Sequence, residues 1–354
     1  MTDIDTSAPV LVTGATGYVA GWIVKGLLDA GCTVHAPVRD PDNAAKLKHL
    51  NDIAANAPGE IRYFKADLLD DGSYDEAMRG CVVVFHTASP FTVDVKDPQR
   101  ELIDPAVNGT RNVLESANRA ESVKRVVLTS SCAAIYGDNA DVANAPNGRL
   151  DESVWNTSSS IAHNPYFYSK TLAEKEAWKI AEAQDRWQLV VVNPSLVIGP
   201  ALQARPTSES FNILLQIGGG ALKSGAPRWG MGVVDVRDLA DAQLAAGFKP
   251  EANGRNIVSG HETDMLAMAL TLQDKYGKDY PLPSRAAPKW LAWLMAPMLG
   301  GGLTRKAVAN NVNIPWRADN SKGKQELGAT YRPLKTSMED MFQQMIDAGQ
   351  FNKT

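Results

Sequence analysis

The chain has 354 residues, 44% hydrophobic and 21% charged, an ordinary globular balance that fits one large or two modest domains. Its formal net charge of -4 excludes a general attraction to nucleic acid or to anionic membrane, so any basic site has to be local. Three widely separated cysteines, Cys32, Cys81 and Cys132, show no CxxC or Cys/His ligand spacing, so free thiols and no bound metal are expected.

The segment MTDIDTSAP is polar and acidic, unlike a secretory signal, and a cytoplasmic protein is expected. Short β-branched runs then alternate with longer amphipathic stretches. PVLVTG (9–14) precedes the helical YVAGWIVKGLLDAG (18–31), and TVHAPV (33–38) precedes AAKLKHLNDIA (44–54). Further strands are expected at 61–66, 81–88, 125–131 and 188–195, with helices at 102–120 and 164–178 between them. The strand runs are nearly all apolar, as they are when helices cover both faces of a parallel sheet. The pattern predicts a Rossmann-type doubly wound α/β fold with a smaller, mostly helical C-terminal substrate domain.

The dinucleotide-binding domain is expected over 1–195, taking back about 233–260, and the substrate domain over 196–354. Within the latter, 218–232 reads as a loop, and helices at 262–275 and 286–298 have no paired strands. WLAWLMAPMLGGG (290–302) is about half of the ~20 residues a membrane span needs, and Pro297 interrupts it. A buried helix or a lid over a pocket is expected there, and no membrane partner.

TGATGYVAG (13–21) lies between the first strand and the first helix. Gly14 and Gly17 allow a tight turn whose backbone N–H groups reach a pyrophosphate, and Ala20 permits close helix–strand packing. Gly14, Thr16, Gly17, Tyr18 and Val19 are the expected contacts. The second strand ends VRDPDNAAK, where Arg39 and Lys46 suit the 2′-phosphate of NADP(H). Asp40 would instead serve an NAD ribose. Asp67 is positioned for the adenine amino group, with the Leu68 backbone alongside, or for capping a helix near Ser73. Thr87, Ala88 and Ser89 line the cofactor at the end of the fourth strand, where His86 reads as a packed residue.

Tyr166 and Lys170 are four residues apart and share a helix face, whereas Tyr168 points away from that face. Ser131 ends the fifth strand, where open α/β sheets present ligands. Carbonyl reduction needs a hydride and a proton for the developing alkoxide. A lysine ammonium near 4 Å would favour the phenolate by ~4 kcal/mol at an effective dielectric of 20, drawing the tyrosine toward working pH. Ser131 would hold the carbonyl oxygen.

Together, TGATGYVA, VRDP with Lys46, VFHTASP, VNGTRNVLESA, VVLTSS, DESVW, YFYSKTLAEKEAW, NPSLVIGP, VVDVRDLADA and DNSKGKQELG resemble the extended short-chain dehydrogenase/reductases over almost the whole chain. The branch of dihydroflavonol 4-reductases, cinnamoyl-CoA reductases and fungal methylglyoxal reductases is nearest. The resemblance implies Ser131, Tyr166 and Lys170 as a triad, with Tyr166 and Lys170 also touching the cofactor. It implies Pro194 and Val197 at the nicotinamide end, and Asn108 beside a relay water. Tyr136 stands where flavonoid reductases carry Asn or Asp, and NPYFYSK departs from the cinnamoyl-CoA reductase motif. Neither plant substrate is therefore implied; Ser131, Tyr136 and Tyr166 are the expected substrate contacts.

The function expected is NADPH-dependent, reversible reduction of small-molecule aldehydes or ketones by a monomer or homodimer. The alternatives are an NAD(P)-dependent nucleotide-sugar epimerase and a hydroxysteroid dehydrogenase-like enzyme. A dehydratase would need Asp-Glu after Ser131, where Cys132 and Ala133 stand.

Overall fold

Largely apolar, Val-rich runs form the parallel strands β1 (Val10–Thr13), β2 (Thr33–Val38), β4 (Val83–His86), β5 (Arg125–Thr129) and β6 (Gln188–Pro194), while the more polar, partly exposed EIRYFK forms the edge strand β3 (Glu60–Lys65). The computed structural model describes residues 5–89, 95–203, 206, 208–299 and 303–352. Strands β7 (Leu196–Ile198), β8 (Gly230–Asp235), β9 (Gly254–Val258) and β10 (His261–Asp264) follow. In the first half the helices are α1 (Tyr18–Asp29), α2 (Ala44–Ala54), α3 (Asp75–Met78), α4 (Asp104–Arg119) and α5 (Pro165–Glu182). The second half carries α6 (Glu209–Gly218), α7 (Val236–Phe248), α8 (Met265–Leu270), α9 (Gln273–Tyr276), α10 (Lys289–Leu299), α11 (Arg305–Asn311), α12 (Ser321–Glu326) and α13 (Leu334–Asp347).

The main sheet has the order β3-β2-β1-β4-β5-β6-β9, with every pair parallel. Alternation along β1 sends Val10 and Val12 to the core beneath α1 and α7, and Leu11 to the core beneath α4 and α5. The strand order reverses between β1 and β4, which opens a crevice at their carboxyl ends. The expected Rossmann-type doubly wound sheet is therefore present. All three cysteines are free and buried.

The substrate half departs from the sequence reading. Residues 218–232 are not all loop, because Gly230 begins β8, and 262–275 is not one unpaired helix, because β10 pairs antiparallel with β8. With β7 these make a second sheet, β10-β8-β7. The signal was hidden because Gly230 and Gly232 are weak strand formers; a side chain at Gly232 would collide with the Trp316 ring. Of the stretch 233–260, β8 serves the small sheet, α7 packs under the main sheet and β9 extends the main sheet. Helix α10 is not buried: Trp290, Leu291, Trp293, Leu294 and Met298 are exposed. Gly300 to Gly302 of that expectation lie outside the described residues.

Candidate active site

The glycine turn closes with a Gly17 N–H bond to the Gly14 carbonyl at 2.7 Å, and Gly17 precedes α1 with no side chain to cap it. Its first N–H groups therefore point out of the turn without an internal partner. Gly14 has φ +66°, and a Cβ there would stand 3.0 Å from the Ala88 backbone. The turn thus lies directly against the chain leaving β4. Thr13 makes that contact specific: its Oγ1 accepts from the Thr87 and Ala88 N–H groups at 3.1 and 3.0 Å, and Thr87 Oγ1 donates to the Thr13 carbonyl at 2.5 Å. His86 bonds Thr13 Oγ1 at 2.9 Å and is buried; burial and then Lys170 push its pKa down to about 3. It is neutral at physiological pH, in keeping with a packing role.

This cradle, with bare backbone and uncapped N–H groups at a switch point, fits a dinucleotide pyrophosphate. Thr16 and Val19 are half-buried at its rim. The Tyr18 side chain turns away, donating to the Gly199 carbonyl at 2.7 Å, so only its backbone is available to the turn. Arg39 and Lys46 are both exposed, and neither forms an ion pair among the described residues. Two uncommitted cations near the end of β2 suit a phosphate. Asp67 caps no helix: Oδ1 accepts from the Leu69 N–H at 2.9 Å, and α3 begins beyond Tyr74. Leu68 packs its side chain on Gly109, and its carbonyl accepts from Asn112 at 3.2 Å.

The expected catalytic groups lie at the exit of β5 and on α5, which pack together. Ser131 opens a turn, Cys132–Ala134, and its Oγ accepts from the Ala133 N–H at 3.1 Å, leaving its own hydroxyl proton to donate elsewhere. That turn packs on α5 at Thr171, whose hydroxyl donates to the Phe167 carbonyl at 2.9 Å and lies 3.4 Å from the Ala133 carbonyl. Helix α5 starts sharply because Pro165 holds its first position and Asn164 is left-handed at φ 54°. Asn164 is held by donating to the Gly137 carbonyl at 2.7 Å.

One turn further on, Lys170 Nζ lies 5.8 Å from the centre of the Tyr166 ring and donates to Ser89 Oγ at 2.9 Å. The lysine thereby joins the tyrosine to the β4 loop that packs on Gly14. Burial lowers Lys170 to about 8. Tyr166 keeps 38% of its surface accessible, yet burial of its hydroxyl and then the Glu209 carboxylate push its pKa up to about 12. The sequence reading, in which Lys170 draws the phenol toward neutral pH, is therefore corrected. Burial and the Glu209 carboxylate dominate, and the phenol stays protonated.

Tyr136 stacks edge-on with Phe167 at 5.6 Å and tilts against Trp316 at 6.0 Å. Pro194 ends β6, buried, and half-buried Val197 bridges the two largest cores. Tyr168 is half-buried on α5. Asn108 is exposed and accepts from Arg111 at 3.0 Å. Instead, a cavity of about 20 Å³, room for one water, is lined by Lys170, Ser89, Thr110, Ser130 and Glu174. The residues that sequence reasoning missed are Ser130, Glu174, Asn193, Glu209 and Arg255. The signal available was a glutamate four residues after Lys170, on the face it shares with Tyr166.

A parallel sheet with an anion-ready glycine turn, and a tyrosine–lysine pair beside it, defines a dinucleotide-dependent enzyme of the Rossmann class. The chain belongs to the NAD dependent epimerase/dehydratase family, the extended short-chain dehydrogenase/reductases, whose model matches residues 10–259. It is 36% identical over 333 residues to a cinnamoyl-CoA reductase of Medicago truncatula, covering 94% of this chain and 93% of that one. A bifunctional dihydroflavonol 4-reductase/flavanone 4-reductase of Malus domestica is 34% identical over 347 residues, covering 97% and 90%. Among solved structures, the yeast methylglyoxal/isovaleraldehyde reductase complexed with NADPH superimposes with a TM-score of 0.75 at 29% identity, covering 97% and 99%.

Proposed function

We propose that the protein is an NADPH-dependent carbonyl reductase that converts an aldehyde or ketone to its alcohol, reversibly. The observation that carries the proposal is the Lys170 bond to Ser89, which ties the Tyr166 face of α5 to the loop against the Gly14 turn. NADPH, when bound, supplies the hydride. Gly14, Thr16, Gly17, Val19 and the Tyr18 backbone would hold its pyrophosphate, and Arg39 with Lys46 its 2′-phosphate. Asp67, Leu68, Thr87, Ala88, Ser89, Pro194 and Val197 would line its remainder.

Tyr166 gives its proton to the carbonyl oxygen, a role its raised pKa suits because the phenol is wholly protonated at neutral pH. The Lys170 ammonium then steadies the phenolate; at the 5.8 Å separation from the ring centre this attraction is ~3 kcal/mol at an effective dielectric of 20. Ser131, whose oxygen already accepts from Ala133, donates its proton to the same carbonyl oxygen and orients it. Tyr136, between Phe167 and Trp316, would form an aromatic wall for the substrate. A nucleotide-sugar epimerase reading is less supported, since the relatives described above are reductases.

The test is a panel of aliphatic and aromatic aldehydes and ketones, followed by loss of NADPH absorbance. Turnover with NADPH strongly preferred over NADH is expected. Equal use of NADH contradicts the assignment of Arg39 and Lys46.

A further inference from the structure

Glu174 is the third residue, after Tyr166 and Lys170, on one stripe of α5, and it is 1% exposed. A carboxylate in such a place must collect donors to remain charged. It collects four: Arg255 Nε at 2.6 Å and Trp178 Nε1 at 3.4 Å on one oxygen, Asn193 Nδ2 at 2.7 Å and Ser130 Oγ at 2.5 Å on the other.

The other ends of these donors matter more than their number. Ser130 immediately precedes Ser131. Asn193 Nδ2 also donates to the Ser131 carbonyl, at 3.2 Å. Arg255, on β9, donates to the Ala134 carbonyl at 3.3 Å, at the far end of the turn that Ser131 opens. It also holds the Glu152 and Val154 carbonyls at 2.9 and 2.6 Å and lies 4.0 Å from the Trp155 ring centre. The carboxylate on the Tyr166 helix is thus bonded, directly or through one residue, to the backbone on both sides of Ser131.

We propose that Glu174 and Arg255 are positioning residues, and that their buried ion pair fixes the separation and angle between Ser131 and Tyr166. This rests on the reading of Ser131 and Tyr166 given above. A proton donor and an orienting hydroxyl that act on one oxygen must be held within about 0.5 Å, and they sit on different elements. An ion pair that served stability alone would be replaceable by apolar residues of similar volume. A pair that serves position would not, because no methionine holds a carbonyl or Ser130.

The experiment is the double variant Glu174→Met/Arg255→Met, with Ser130→Ala as a milder second variant that buries no unpaired charge. Melting midpoint, NADPH dissociation constant by fluorescence, kcat and KM are measured with the aldehyde turned over fastest. The double variant is expected to fold and bind NADPH within about twofold of wild type. Its KM should change little while kcat falls about 100-fold, the loss a 1 Å misplacement brings. Ser130→Ala should lose several-fold in kcat with unchanged melting and NADPH affinity. Wild-type kcat in whichever of the two variants folds overturns the positioning role. Tyr166→Phe, run in parallel, separates the two failures: turnover surviving there overturns the reading of the site itself, and this inference with it. Turnover lost there but kept in the folded variants overturns the positioning role alone.

Discussion

The carboxyl edge of the main sheet and helix α10 treat their side chains in opposite ways. At the sheet edge Glu174 is buried against Arg255, and Thr13 against His86 and the β4 loop. On α10 the alanine goes in and the tryptophans come out, with Ala296 fully buried, Trp290 68% exposed and Met298 77% exposed. The first region spends desolvation to hold a fixed geometry. The second leaves large apolar groups in water and contributes only Ala296, with Ala292 beside it, to a small core. Burial, rather than hydrophobicity, therefore shows where this molecule is sensitive.

That contrast can be broken by substitution. The largest effect on stability is expected from Glu174→Met alone, which leaves the Arg255 guanidinium buried without its anion. A loss of about 3–5 kcal/mol in denaturant unfolding is expected. A loss under 1 kcal/mol would mean that Arg255 finds water and that the sheet edge is softer than its contacts imply.

Gly14→Ala comes next. The residue would have to keep φ +66° with its methyl 3.0 Å from the Ala88 backbone. About 1–3 kcal/mol of stability should be lost, and the NADPH dissociation constant should rise at least tenfold by fluorescence titration.

A smaller effect comes from Lys170. Because burial lowers its pKa to about 8, the folded protein holds this site neutral between pH 8 and 10 while the unfolded chain is still protonated. Unfolding then takes up a proton, so this residue makes stability rise with pH through that window. Competitive acetylation should report an apparent pKa near 8 for Lys170, against the ordinary lysine value of about 10.4 for a short lysine-containing peptide. Equal values would remove the lysine from a buried site.

The smallest effect is expected on α10. Trp290→Ser/Met298→Ser should change unfolding free energy by no more than about 0.5 kcal/mol and leave kcat alone. A large loss would show that this face is covered in solution.

How much of this was legible in the sequence follows the same division. The strands of the main sheet announce themselves because both faces are covered and the runs are almost purely apolar. The glycine turn and the Tyr166–Lys170 spacing are local patterns that survive folding unchanged. The small sheet was missed because β8 begins with glycines that admit Trp316, a contact far along the chain. Arg255 was missed for the same reason, lying 81 residues beyond Glu174. The position of Tyr18 predicts a contact at the glycine turn, which its backbone can still make, but not that its hydroxyl goes to a carbonyl 181 residues away. The raised pKa of Tyr166 is not legible from spacing, which reveals the nearby cation but neither the burial nor the Glu209 carboxylate that push it up.

The most direct test of the account is Tyr166→Phe in single-turnover NADPH oxidation, with the NADPH dissociation constant measured on the same preparation. The account predicts at least a thousandfold slower hydride transfer, with the dissociation constant within about threefold of wild type, and wild-type-like rates for Tyr168→Phe. A Tyr166→Phe rate within tenfold of wild type would contradict it.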